Sequence, residues 1–224
     1  MEKRKLYEYL CEFISEERRK KFERYIEWRT RYVTIAVEDI YQPHNISAVL
    51  RSAECFGVQD VHVIENSNKF SPNPDVSLGS NKWLTLHHYR GKENNSLECI
   101  HSLKKNGYRI VATTPHEKDK LVSELDLSKG KVALFFGTEL EGISNTVIDH
   151  ADEFVKIPMF GFTESFNISV STAICDYELT NRLRSSDINW KLNEEEKTDI
   201  LLEWARNSVQ KHELLEKEYY SRKT

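Results

Sequence analysis

Short runs of β-branched and aromatic residues alternate with helical segments through the middle of the chain, and this alternation most constrains its fold. The runs are Tyr32–Val37, Val61–Ile64, Trp83–His87, Arg109–Thr113, Val132–Phe136 and Glu153–Ile157. Strands separated by helix-length segments are typical of a parallel sheet with crossover helices. The run Val132–Phe136 is apolar throughout, as expected for a strand that helices cover on both faces. We therefore predict an α/β fold, a mostly parallel sheet with helices on both faces.

The chain divides by pattern into three zones. Residues 1–31 are predicted to form a basic helical extension, because apolar residues such as Leu6 and Leu10 recur at helical spacing. Residues 32–185 carry the alternating pattern and form the α/β domain. Residues 186–224 are predicted to form a second helical extension, in which the acidic residues 194–196 suit the start of a helix.

Basic residues are concentrated near the start of the chain, although the net charge is −4. The aromatic residues Phe22, Tyr25 and Trp28 are interleaved with them at helical spacing. The segment is either a solvated helix whose aromatic side chains pack on a core or a surface that binds nucleic acid. The candidate nucleic-acid-binding residues are Arg18, Arg19, Lys20, Lys21, Arg24 and Arg29.

Several classes of protein are disfavoured by the sequence. No window approaches the roughly 18 uninterrupted apolar residues of a membrane helix. Glu8 and Glu12 interrupt what would be the apolar region of a signal peptide. The cysteines lie far apart and lack ligand spacing, which favours neither a disulfide framework nor a zinc site. We expect a protein of the reducing cytoplasm with no bound metal and no membrane partner.

The first segment of chemical interest follows the strand that ends near Val37. Pro43 interrupts the chain, and Asn45 is a good N-cap for a helix that ends at Gly57. Asn45 would then lie at the carboxyl edge of the sheet, where α/β proteins bind ligands. Arg51 lies on a flank of the helix, from which it can reach back toward the loop. A capping asparagine and a surface arginine with no further role fit the pattern equally well.

The second segment runs from a buried strand into a turn bracketed by Gly137 and Gly142. These glycines let backbone amides face a ligand, and Glu139 places a carboxylate beside them. The turn lacks the glycine and lysine pattern of phosphate-binding loops, and its acid would repel phosphate. A sugar or amino-acid ligand fits better.

The third segment begins where a strand ends at Pro158, and it continues through a glycine-containing loop into a helix. The small polar residues Ser165, Asn167 and Ser169 open this helix. They either contact a ligand or satisfy the free amides at the helix start.

In this order and spacing, the three segments resemble motifs one, two and three of the SpoU family of RNA ribose 2′-O-methyltransferases, in the SPOUT superfamily. The resemblance covers about Val37 to Tyr177. It rests on Pro43-His44-Asn45 with Arg51, Gly137-x-Glu139-x-x-Gly142, and Ile157-Pro158-Met159 with Ser165-x-Asn167-x-Ser169. Departures are mild: Phe166 stands where many members have Leu, and Thr138 and Leu140 are uncommon in the motif-two turn.

The resemblance implies a sheet whose carboxyl-terminal part forms a trefoil knot, S-adenosylmethionine bound in that knot, and a homodimer that assembles the site. It implies that Arg51 is the central catalytic group. The supporting residues would be Asn45, Glu139, Ser165 and Asn167. The residues that hold the cofactor would be Thr113, Gly137, Ile157 and Phe166.

The implied reaction is the methylation of a ribose 2′-hydroxyl in RNA. The flanking charged helices also resemble those of the branch that acts on transfer RNA, at a guanosine of the D loop. Ribosomal RNA is the alternative substrate. A catalytically silent RNA-binding member and an unrelated small-molecule enzyme on a doubly wound sheet are the alternatives outside this activity.

Overall fold

The structure is a computed structural model of the chain, and it describes residues 2–114, 119–138 and 142–222. The chain forms two compact units. One unit contains the segments up to Arg29 and from Lys191, and the other is Thr30–Trp190. The sequence predicted boundaries at residues 31 and 185 instead. It also predicted two separate terminal extensions, whereas both ends of the chain belong to one unit.

Seven strands in the described part of Thr30–Trp190 form one sheet, and every pairing between these strands is parallel. They are β1 (Val33–Glu38), β2 (Asp60–Ile64), β3 (Thr85–Tyr89), β4 (Arg109–Thr113), β5 (Lys120–Leu121), β6 (Val132–Phe136) and β7 (Glu153–Lys156). Their order is β3-β2-β1-β6-β4-β7-β5. This confirms the predicted α/β fold, while the trefoil knot stays a prediction.

Two strands differ from the sequence-based expectation. The predicted run Trp83–His87 begins two residues too early, because a 3-10 turn over Ser80–Lys82 continues through Trp83. The two-residue strand β5 was not predicted, since it is too short to show an alternating pattern.

Helices cover both faces of this sheet and also form the terminal unit. In chain order they are α1 (Glu2–Cys11), α2 (Glu16–Ile26), α3 (Pro43–Phe56), α4 (Pro74–Ser77), α5 (Asn95–Lys105), α6 (Asn145–His150), α7 (Ile168–Arg184), α8 (Glu194–Ser208) and α9 (His212–Ser221). None of these helices is long and apolar enough to cross a membrane.

The two faces of the sheet bury separate apolar cores. Ile35 and Val37 of β1 belong to the core that contains residues of α3 and α7. Ala36, which points to the opposite face, belongs to the core that contains residues of α5 and α6. Strand β1 is therefore apolar on both sides, and only its last residue, Glu38, is charged.

Helix α3 begins three residues earlier than expected, so the prediction that Asn45 is its N-cap is wrong. Pro43 occupies the first turn, where its fixed φ and missing N–H are tolerated. Gln42 holds the N-cap position without a side-chain capping bond. The predicted end of the helix is confirmed at Gly57, whose φ of 76° is in the left-handed region that glycine adopts readily.

The terminal unit is built from both ends of the chain. Helix α1 packs against α8 and α9, and α2 packs against α8. Phe22 of α2 contacts Trp204 of α8, with ring centroids 5.5 Å apart. As the acidic cluster predicted, α8 begins at Glu194, where Asn193 and Glu196 form a capping box.

Asp176 of α7 is a buried acid in the α/β unit. It is 0% exposed, and neither carboxylate oxygen has a hydrogen-bond partner among the described residues. Burial disfavours the charged form and raises the pKa of Asp176 well above its ordinary value. In the unfolded chain an aspartate has a pKa of about 3.9.

We predict that Asp176→Asn stabilises the protein at pH 7 and has little effect below about pH 4. Between the unfolded and folded pKa values, the folded state holds a proton that the unfolded state has lost. The free energy of unfolding therefore falls as the pH rises through this window. The asparagine side chain of the variant does not ionise, so it causes no such decrease. We expect a gain of about 1–3 kcal/mol at pH 7, measured by thermal or urea unfolding at both pH values.

Asp187→Asn is the matched control, because Asp187 is exposed. Its effect should be small at both pH values. An Asp176→Asn protein that is equally destabilised at pH 4 and pH 7 would contradict the assignment of a buried neutral acid.

Candidate active site

A cleft of about 430 Å³ lies at the carboxyl ends of β4, β6 and β7. Because the strands are parallel, the loops that follow them leave at the same edge of the sheet. The four residues predicted to hold a cofactor all line this cleft: Thr113, Gly137, Ile157 and Phe166. Its volume falls within the range of about 300–1,000 Å³ that is usual for small-molecule sites.

Two glycines bring the backbone of the motif-two turn close together. The N–H of Thr138 donates to the carbonyl of Gly142 (2.9 Å), and the N–H of Gly142 donates to the carbonyl of Thr138 (3.1 Å). A Cβ atom at Gly137 would collide with the carbonyl group of Gly142. The turn therefore requires glycine at 137, while the predicted catalytic residue Glu139 lies outside the described residues.

Asn167 joins the third motif to the first. Its Nδ2 donates to Oδ1 of Asn45 across 3.1 Å. Its Oδ1 accepts from the N–H and the hydroxyl of Ser169, at 2.9 and 2.6 Å, and so caps α7. The helix-capping interpretation of Asn167 is thus correct, and the same side chain also contacts the buried Asn45.

The other two predicted catalytic residues differ in position. Ser165 is exposed and lines the cleft. Arg51 is exposed on α3, and its side chain forms no hydrogen bond or ion pair with any residue that the structure describes. Arg51 is also not among the described residues of the cleft wall.

Part of the cleft wall consists of residues that were not predicted from the sequence. The unpredicted lining residues include Ile143, Ile148, Met159, Glu164, Ser171 and Cys175. Ser171 and Cys175 are four residues apart on α7, a helical spacing that predicts one shared face but not that this face lines the cleft. Burial raises the pKa of the Cys175 thiol, which keeps it protonated and suits it to packing rather than nucleophilic chemistry.

The basic residues of α2 lie on two flanks with different surroundings. Three ion pairs span one turn: Lys20–Glu16 (2.6 Å), Lys21–Glu17 (2.7 Å) and Arg19–Glu23 (3.1 Å). At 100° per residue, Arg18 and Lys21 fall on the flank of Tyr25 together with Glu17, and Arg19 and Lys20 fall on the flank of Glu16 and Glu23, while Arg24 lies between the two flanks. The first flank has an excess of positive charge, and the second is balanced.

Two aromatic residues extend the more basic flank. Tyr25 is 48% exposed and Trp28 is 54% exposed, whereas Phe22 is buried. The guanidinium of Arg24 lies over the ring of Tyr25, 5.5 Å from its centroid. The solvated-helix interpretation is therefore correct for Phe22 but not for the other two aromatic side chains.

Arg29 does not share the exposure of the other candidate RNA-binding residues. It is 3% exposed, and its guanidinium lies 5.3 Å from the ring centroid of Trp204. The expectation that Arg29 contacts RNA is wrong, because a buried guanidinium packed on an indole cannot reach a phosphate.

We predict that Gly137→Ala lowers the stability of the protein by about 1–3 kcal/mol, because the added methyl group forces the motif-two turn apart. Thermal unfolding measures the change. Gly161→Ala is the control, since a Cβ atom there meets nothing within 4 Å and needs no unusual φ. Equal melting temperatures for the two variants would show that the close approach is not required.

Comparisons with known proteins agree with this geometry. The model of the SpoU rRNA Methylase family matches residues 32–177. The tRNA (guanosine(18)-2′-O)-methyltransferase of Borreliella burgdorferi is 45% identical, over 92% of this chain and 93% of that protein. The protein of the same name from Thermus thermophilus is 29% identical, over 86% of this chain and 97% of that protein.

Among solved structures, the Aquifex aeolicus TrmH/SpoU tRNA modifying enzyme matches with a TM-score of 0.77 and 29% identity. The match covers 88% of this chain and 98% of that chain. The resemblance to the SpoU family is thereby confirmed over residues 32–177. The chain belongs to the SpoU rRNA Methylase family.

Proposed function

We propose that this protein is an S-adenosylmethionine-dependent methyltransferase that methylates the ribose 2′-hydroxyl of guanosine 18 in transfer RNA. The observation that carries the proposal is the meeting of the three motif segments at one sheet edge. There the Asn167–Asn45 hydrogen bond of 3.1 Å joins motifs one and three beside the cleft. We propose a cytoplasmic location with it, because transfer RNA is a substrate of that compartment.

The cleft fits a cofactor with polar and apolar parts. Gly137, which has no side chain, and Ile157 line it among apolar residues, and Phe166, which is 41% exposed, is positioned to close over a ligand. Thr113 is held in place by a hydrogen bond from its hydroxyl to the carbonyl of Phe135 (2.8 Å). When bound, the cofactor supplies an electrophilic methyl group.

Arg51 acts on the RNA rather than as a base. A ribose hydroxyl is a weak acid, so it must be oriented and its proton accepted as it attacks. A guanidinium with a pKa above about 12 is a poor proton acceptor. Arg51 therefore holds the neighbouring phosphate and orients the hydroxyl, and the proton passes to that phosphate or to water.

Asn45, Ser165 and Asn167 support this arrangement. The amide of Asn167 fixes the start of α7 through Ser169 and contacts Asn45 at the start of α3. Ser165 lies two residues before that cap, in the wall of the cleft. Glu139 is proposed to act from the motif-two turn, as the family resemblance implies.

Transfer RNA is favoured over ribosomal RNA because the similarity to tRNA methyltransferases extends beyond the α/β unit into the terminal helices. The three motifs are proposed to carry out the reaction, whereas the terminal helical unit is proposed to select the RNA. A silent RNA-binding protein is disfavoured because Asn45, Arg51, Ser165 and Asn167 are all present.

We predict that the purified protein transfers labelled methyl groups from S-adenosylmethionine to unmodified transfer RNA, with the label at the ribose of guanosine 18. Arg51→Ala should lower this turnover by at least about 100-fold, since positioning of the hydroxyl is lost. Its affinity for the cofactor should remain near that of the wild type, because Arg51 does not line the described cleft.

Ribosomal RNA fragments serve as the competing substrate in the same assay. Preferential labelling of those fragments would overturn the choice of RNA. Substantial turnover by Arg51→Ala would overturn the catalytic assignment.

The more basic flank of α2 is proposed to bind the phosphates of the transfer RNA. Arg18 and Lys21 supply the positive charge, and Arg24 adds to it from the edge of the flank. The half-exposed rings of Tyr25 and Trp28 can stack on unpaired bases. The balanced flank of Arg19 and Lys20 contributes less, because Glu16 and Glu23 oppose phosphate there.

We predict that Arg18→Gln/Lys21→Gln weakens transfer RNA binding more than Arg19→Gln/Lys20→Gln, although both double variants remove two positive charges. The slope of log affinity against log salt concentration should also be smaller in magnitude by about 1–2 for the first variant. Filter binding or anisotropy over a salt series measures both quantities. Equal losses for the two variants would exclude a directional RNA-binding flank.

We also propose a homodimer formed through the outer face of α7. Val170 and Tyr177 are 43% and 57% exposed on this helix, and Phe166 precedes it. Leu179 of the same helix does not belong to this face, because it is 0% exposed in the core with α3. Ala173 and Ile174 are half-buried and border the exposed side chains.

We predict that light scattering at micromolar concentration gives twice the 26.3 kDa of one chain. Val170→Arg should shift the mass toward one chain, because a buried charge opposes association. Leu214→Arg is the control on α9, where Leu214 is 59% exposed. A monomeric wild type that retains activity would refute both the dimer and a composite site.

A further inference from the structure

Glu38 is a buried carboxylate that the proposed mechanism does not use. It is the last residue of β1 and is 3% exposed. Its side chain points to the face of the sheet that carries α5 and α6. A charge in such a place is tolerated only where hydrogen-bond donors surround it.

Three donors meet this carboxylate. Oε1 accepts from the hydroxyl of Ser96 at the start of α5 and from the hydroxyl of Ser144 (2.7 Å). Oε2 accepts from the backbone N–H of Ser144 (3.0 Å). Ser96 in turn accepts a hydrogen bond from the side-chain amide of Asn66 (2.8 Å).

Ser144 is the point at which the motif-two turn leaves the cleft. It is the N-cap of α6, and it directly follows Gly142 and Ile143, which line the cleft. Glu38 itself directly precedes the loop that leads to motif one. The Glu38–Ser144 contacts therefore tie the end of β1 to the exit of the motif-two turn.

We propose that Glu38 is a positioning residue that holds residues 142–144, at the end of the motif-two turn, so that Gly142 and Ile143 line the site of the methyl-donor cofactor. This inference rests on the proposed function for the identity of the ligand. Glu38 does not line the described cleft, so it acts through Ser144, Ile143 and Gly142.

The three donors allow a test of whether position 38 needs a hydrogen-bond acceptor or a negative charge. Hydroxyl groups of Ser96 and Ser144 can donate or accept, but the N–H of Ser144 can only donate. In Glu38→Gln, the amide oxygen can accept from this N–H while the amide nitrogen donates to the two hydroxyls. Glu38→Ala leaves the N–H of Ser144 without its acceptor.

The test measures binding of S-adenosylhomocysteine, the product form of the cofactor, to full-length variants by calorimetry. Glu38→Ala should lower the affinity by at least about tenfold, and Glu38→Gln should restore it to within about threefold of the wild type. If the alanine variant does not fold, Glu38→Asp replaces it. Its shorter side chain cannot reach all three donors, so a loss of affinity is again expected.

Two variants separate positioning from general instability. Ser96→Ala removes a donor to the same carboxylate but leaves both Ser144 contacts, so its affinity should stay near that of the wild type. Leu103→Ala opens the core beneath α5, where Leu103 is 1% exposed, and should lower the melting temperature without a matching loss of affinity.

Amide hydrogen exchange at residues 142–144 provides a readout that needs no ligand. Glu38→Ala should speed exchange at Ser144, and Leu103→Ala should not do so selectively. Wild-type affinity and exchange in Glu38→Ala would overturn the inference. If the wild type itself fails to bind the probe, the proposed function fails, and the exchange result still decides whether Glu38 holds the turn.

Discussion

The common direction of the strands is the constraint on which the rest of the α/β unit depends. Because β1, β6, β4 and β7 are neighbours and run parallel, the segments that follow them all leave at one edge of the sheet. Residues that are remote in sequence then become neighbours in space. Asn45 and Asn167 are 122 positions apart, yet their side chains form a hydrogen bond.

Polar side chains hold these segments to one another. Asn167 joins motif three to motif one, and Glu38 joins the strand of motif one to the turn of motif two. The exposed Asn167 donates to the buried Asn45, and the donors around the buried Glu38 offset its loss of hydration. Asp176 differs, because its buried carboxylate has no hydrogen-bond partner among the described residues, and burial raises its pKa.

The sequence allowed the strands and several helix ends to be predicted, because these features are set by local chemistry. Alternation with helical segments identified the parallel sheet, and Gly57 and the acidic start of α8 identified helix boundaries. The start of α3 was misplaced because Pro43 suits the first helical turn better than Asn45 suits the cap.

Long-range packing could not be predicted in the same way. The burial of Arg29 against Trp204 depends on the pairing of the two ends of the chain in one unit. The role of Glu38 depends on Ser144, which is 106 positions away. The cleft-lining loops after β6 and β7 were recognised from motifs two and three, but the contributions of Ser171 and Cys175 depend on the orientation of α7.

The most direct test of the account is a crystal structure of the protein with S-adenosylhomocysteine bound. The account predicts ligand density in the cleft between the loops that follow β4, β6 and β7, in contact with backbone at Gly137 and Ile157. It also predicts that Asn45 and Asn167 remain hydrogen-bonded beside the ligand. Density at another site, with this cleft closed or filled by side chains, would contradict the account.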